Sequence, residues 1–273
     1  MIDTVALDPD RHVPGVRSHP GFPDTLRAEW VKFWTVRSTV WSTAVLVLLG
    51  AGLTVLVCAT SAAWLAGGEA DEAAGSFVTW GLMFAQITAI ALGTLIVTTE
   101  YGTGMIRATL AATPRRGAVL AAKGLVLTGT LFVLGTATAF VGYLGGNWFL
   151  DREGVGVALT DPGVLRALWG SGLYLAGLGL FAMAVGLLVR HTAAALSIVL
   201  ALVFIVGTMA FLLPGTWGEW VAKLLPGNAG GAVATPVPFN PELLGPWTGL
   251  AVFAAETAVL LVVALLAFRR RDA

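Results

Sequence analysis

Six stretches of the chain, roughly 41–64, 78–99, 124–147, 167–189, 192–213 and 247–268, stay apolar for about 20 residues, the length a helix needs to cross the bilayer hydrocarbon. In that medium a segment satisfies its backbone only as a helix or a closed barrel, and runs of this length predict helices. The pattern therefore predicts an all-α membrane protein with six transmembrane helices. A different pattern precedes them. From Asp24 to Arg37 the apolar residues Leu26, Trp30, Phe33 and Trp34 fall on one helical face and Arg27, Glu29, Lys32 and Arg37 on the other. That is the signature of a helix lying in the inner interface and bending into the first span. Residues 1–23 mix Pro, Asp, His and Arg without periodicity and predict a disordered cytoplasmic tail. The expected organisation is thus a tail (1–23), an interfacial amphipathic helix (24–37) and a six-helix domain (38–273).

The fifth connection, 214–246, is also patterned. Trp217, Trp220, Val221, Leu224 and Leu225 keep helical spacing up to Pro226–Gly227, which predicts one amphipathic helix before span six. A re-entrant helix and a helix resting on the outer surface fit that pattern equally.

Charge distribution orients the bundle. Thirteen of the sixteen Lys and Arg residues fall on one side: Arg11, Arg17, Arg27, Lys32 and Arg37, then Arg107, Arg115, Arg116 and Lys123, then Arg190, then Arg269, Arg270 and Arg271. The positive-inside rule places that side, with both termini, in the cytoplasm. An odd number of spans would destroy the alternation. Trp64, Trp80, Trp148, Trp169 and Trp247 mark the outer ends of spans and Trp41 an inner end, as interfacial indoles should. Composition agrees with a lipid solvent: 57% hydrophobic, 12% charged, net charge zero, mean hydropathy +0.83. No global basic footprint invites nucleic acid. The single cysteine, Cys58, excludes an internal disulfide and any multi-cysteine metal site. With no apolar h-region before residue 41, no cleavable signal peptide is expected and the first span is its own insertion signal.

The loop from Glu100 to Lys123 carries the most information. Gly102 and Gly104 give the backbone freedom to turn. Met105, Ile106, Thr109 and Leu110 then line one side of a short helix, which Pro114 stops through its effect on Thr113. Arg115, Arg116 and Lys123 flank the third span. An apolar knob with a basic rim suits docking into a groove on a partner; a basic loop that only fixes topology has the same composition.

The run EYGTGMIRATLAATPRR beginning at Glu100, with the upstream segment LRAEWVKFWTVRSTVW beginning at Leu26, resembles the permease subunits of ABC-2 type exporters, above all actinobacterial ones. The resemblance implies a permease that forms the translocation pathway and draws energy from a separate ABC ATPase subunit. It implies a second permease copy, or a related permease, completing the pathway in a bacterial plasma membrane. By position it assigns ATPase contact to Glu100, Arg107, Leu110, Arg115 and Arg116, with Arg27 and Lys32 beside them. The chain's own residues are compatible: no run fits the phosphate-binding pattern G-x-x-x-x-G-K-[ST], so nucleotide hydrolysis is expected elsewhere. No catalytic residue, metal or cofactor is expected.

Within the spans, Glu256 lies near the middle of the sixth, where an acid costs about 3 kcal/mol. It is either a pathway carboxyl or a protonated acid bonded to a neighbouring helix. Gln86, in span two, is the second pathway candidate and equally suits interhelical bonding. Gly142–Gly146 and Ala182–Gly186 have small-xxx-small spacing, read as close helix packing. The alternative function is a stand-alone membrane protein, an ion-coupled carrier using Glu256 or an immunity or sensor protein. Apolar walls with few charges favour a lipophilic or amphipathic cargo.

Overall fold

A computed structural model describes residues 21–67, 73–113, 115–212, 215–238, 240 and 242–270. Among these the regular structure is entirely helical: α1 Phe22–Thr35, α2 Arg37–Ala66, α3 Leu82–Gly102, α4 Met105–Ala112, α5 Arg116–Arg152 and α6 Val164–Val189. There follow α7 Thr192–Met209, α8 Gly215–Leu224, α9 Pro226–Gly231 and α10 Pro246–Arg270. Six of them, α2, α3, α5, α6, α7 and α10, are long and apolar enough to cross a membrane. The chain is a multi-pass membrane protein. Residues 1–20 of the expected tail, with His12 and His19, and also Glu69, Asp71, Glu72, Pro114 and Arg271 lie outside the described residues.

Two boundaries differ from expectation. The first helix begins at Phe22, with Pro23 in its first turn, where a missing N–H costs nothing. The third span reaches far beyond 124–147. At 37 residues and about 1.5 Å per residue, α5 outruns a hydrocarbon core of about 30 Å, and its extra turns carry Lys123 inside the helix.

The centre of the bundle is α6. Of its most apolar window 72% is buried, against 17% in α10 and 22% in α7. Small residues let neighbours press onto it from several sides. Gly179 faces Gly93 of α3 backbone to backbone, Gly172 receives Phe132 and Thr136 of α5, and Gly177 meets the Phe253 ring of α10. The two sequence stripes serve the same purpose within the chain: Gly142 and Gly146 seat α5 on Thr54 and Cys58 of α2, and Gly186 lies against Thr94 and Thr98 of α3. A side-chain hydrogen bond between α3 and α6 lies in this core. Tyr174 of α6 donates to Gln86 Oε1 at 2.5 Å, while Gln86 Nε2 donates to the Met83 carbonyl. Tyr174→Phe strands the Gln86 oxygen in the core and is expected to cost about 1–3 kcal/mol. In denaturant titration of the purified protein, adding Gln86→Leu to it should recover part of that loss.

The segment between α7 and α10 is a helical hairpin, not one helix. Pro226 does not close the pattern; it starts α9 as a first-turn proline. Gly227 at the hairpin tip packs on Val203, the twelfth residue of α7 counted from Thr192. The return path climbs α6: Gly230 meets Tyr174, and Val233 covers Gly170. Arg166 then donates to the carbonyls of Thr235 and Pro236 at 3.2 and 3.0 Å. The chain thus enters the bundle to about half the depth of the fifth span and leaves by the same end. Opposite the tip, Ala201–Val206 of α7 is wound as a π-helix.

Candidate functional site

At the other end of the bundle, helices α1, α3 and α5 meet around four charges. A turn of extended backbone at Val36 separates α1 from α2 and lets α1 fold back, burying Thr25, Glu29 and Phe33, an i, i+4, i+8 face. Lys123 of α5 donates to Glu29 Oε2 and to Glu100 Oε1, both at 2.7 Å. Lys32 of α1 donates to Glu29 Oε1 at 3.0 Å and to Glu100 Oε1 at 2.5 Å. Glu100, Lys123 and Glu29 are only 1%, 3% and 4% exposed, so the cluster is an internal ring of alternating sign with zero net charge. Burial pulls the Lys32 ammonium toward its neutral form. The hydrogen bond to Glu100 and the charge of Glu29 outweigh that, and its pKa lies above the ordinary lysine value.

Buried pairs hold only where geometry and hydrogen bonding offset desolvation, and here each lysine bridges both carboxylates. The ring therefore locks α1 to the ends of α3 and α5. A cleft walled by Phe33, Val36, Ile96 and Met105 opens beside it.

Helix α4 hangs from the same end. Its turn is made at Gly104, whose φ of 72° is left-handed and easy only for glycine; Gly102 remains helical. Ile106 and Leu110 lean on the core, whereas Met105, Arg107, Ala108, Ala111 and Ala112 are exposed. Thr113 is extended, as a residue before proline should be. Nearby, Arg116 donates to the carbonyls of Phe268 and Arg269 at 3.1 and 3.2 Å. The guanidinium of Arg190 sits 4.9 Å from the Tyr101 ring centre. These contacts tie the start of α5 to the end of α10 and the end of α6 to the end of α3.

No known family model and no curated protein matches this chain.

The residues that the resemblance assigns to partner contact fall into two groups. Arg27, Arg107 and Arg115 are exposed. Glu100 is buried in the ring, Lys32 belongs to the same ring, Leu110 is half-buried on the core and Arg116 is tied to the end of α10. Glu100 is buried and Lys32 half-buried, and each is ion-paired within the chain. Two members of the ring, Glu29 and Lys123, are not among the residues the resemblance assigns. Glu29 was placed on the polar face and Lys123 among the loop charges. Their signal was periodicity: Lys123 falls in register with Val119, Val126, Leu127 and Thr130, all buried, and Glu29 with Phe33.

The two pathway candidates do not share a site. Gln86 is satisfied by Tyr174. Glu256 opens onto a groove between α7, α10 and the hairpin tip.

Proposed function

We propose that this chain is the membrane permease subunit of an ATP-driven exporter of the ABC-2 type. It pairs with a second copy or a related permease in a bacterial plasma membrane, and its basic end faces the cytoplasm. The observation that carries the reading is the buried ring beside α4. A helix with an exposed basic and small-residue face is suspended next to a clamp that unites α1, α3 and α5. Force applied to α4 by a partner that changes shape on hydrolysing ATP passes to the ends of two spans at once. The exposed face of α4, with Arg107, Ala108 and Ala111 continued by Arg115, is the docking surface, and α1 adds Arg27. The ring transmits and does not touch the partner. The hairpin α8–α9, which enters and leaves at the opposite end, is then a re-entrant element on the outer side.

In this reading the energy comes from the partner, in keeping with a sequence in which no run fits a phosphate-binding loop. The test is to tag the chain at its C-terminus, solubilise native membranes gently and identify what co-purifies. The comparison is Arg107→Glu/Arg115→Glu, confined to exposed positions so that the fold is spared. A stoichiometric ABC ATPase retained by the unaltered chain and reduced about tenfold or more in the variant supports the reading; tenfold corresponds to about 1.4 kcal/mol of contact energy. Purification of the intact chain without any ATPase overturns it.

A further inference from the structure

We infer that the groove beside Glu256 is a binding site for a lipophilic amine, whose ammonium group pairs with the Glu256 carboxyl while its apolar body lies on the hairpin tip and α10. The groove is built from four elements: Phe181 of α6, Leu202 of the π-helical turn, Leu225 and Pro226 at the tip, and Val259 and Val263 of α10. Glu256, the eleventh residue of the 25-residue α10, is the sole ionisable group among the residues lining it. Its Oε2 atom is buried and has no hydrogen-bond partner.

That combination specifies the ligand. A carboxyl in apolar surroundings is costly in either form: ionised, it lacks a countercharge, and protonated, it leaves hydrogen-bonding capacity unused. A neutral lipid tail corrects neither defect, and water supplies hydrogen bonds but no countercharge. An ammonium head supplies both the opposite charge and N–H donors, and charge-assisted hydrogen bonds of this kind strengthen where water is excluded. The rest of the wall is hydrocarbon, which selects an apolar or aromatic body. The π-helical turn opposite the tip is a second mark of a site, because such turns interrupt regular helix mainly where a protein uses the opening. Anionic lipids are poorer occupants, since their acidic groups meet Glu256 with like charge, and zwitterionic headgroups sit at the interface, away from this mid-span carboxyl.

Calling this ligand cargo rests on the exporter reading; the binding itself does not. The test therefore uses the chain alone, in phosphatidylcholine nanodiscs with empty discs as background. The probe is radiolabelled propranolol, a lipophilic secondary amine, displaced by itself or by its neutral N-acetyl derivative. Saturable binding is expected, with the N-acetyl compound at least about tenfold weaker. Glu256→Gln should weaken binding by a similar factor while leaving the elution profile unchanged. Val259→Trp, at an exposed groove position, should weaken it by filling the space without touching the charge. Equal displacement by amine and amide, or unaltered binding by Glu256→Gln, overturns the proposal. So does an absence of saturable binding with disulfide-linked dimers formed by Val259→Cys, which would make a second copy the occupant. None of these results bears on ATPase co-purification, so the two readings fail separately.

Discussion

Lys123→Met is expected to destabilise the protein by about 3–5 kcal/mol, the usual penalty for breaking a buried ion pair from one side. The residue it replaces is 3% exposed and bridges Glu29 and Glu100 at 2.7 Å each. Methionine fills nearly the same volume, so cavity formation contributes little. What remains is two buried carboxylates facing one lysine, with a net charge of minus one where the ring had none. A second substitution isolates the cause. Lys123→Met/Glu29→Gln restores neutrality around the Lys32–Glu100 pair and should recover a coupling energy within the usual 0.5–3 kcal/mol range for residues in one network, about half of the first loss or more. Unfolding in mixed micelles, followed by tryptophan fluorescence, measures both. A single variant within about 0.5 kcal/mol of the parent, or a double variant equal to the sum of its parts, would show that the ring contributes nothing beyond space-filling.

Gly93→Ala is expected to be among the most damaging methyl groups that can be added to the core. A Cβ there runs into the backbone carbonyl of Gly179, which no side-chain rotation can relieve. The α3–α6 contact has to open along its length, an overpacking cost of about 1–3 kcal/mol. The change also loosens the Gln86–Tyr174 bond on the same helix pair. Gly129→Ala is the matched control, because nothing lies within 4 Å of the added atom; its effect should stay within about 0.5 kcal/mol. The same unfolding titration separates the two. Equal effects at both positions would show that α3 and α6 pack more loosely than the structure has them.

The spans were legible because hydropathy over 20 residues is a long signal, and the alternation of basic residues checked it independently. Helix α4 was legible from Gly104 at one end and Thr113 before a proline at the other. The hairpin was only half legible. Helical spacing through Leu225 marked α8, but Pro226 was read as an end when it serves as a beginning, and both roles suit proline. The ring was invisible to any reading that sorted charges onto water-facing surfaces. Glu29 and Lys123 occupy apolar registers only because their countercharges arrive from other helices, and that pairing is a tertiary fact. The register of Lys123 with Val119 and Leu127 was its one local trace.

The ring also sets a timetable for synthesis. Glu29 and its partner Lys123 are 94 residues apart, and at about 5–20 residues per second the ribosome needs ~5–20 s to supply the second after the first. Throughout that interval α1 has emerged with Lys32 of its own helix as the countercharge to Glu29, but the Lys123 that closes its inward face is missing. Helix α1, made early, is therefore among the last to dock, and a nascent chain stalled before residue 123 displays α1 undocked to whatever surveys unfinished membrane proteins.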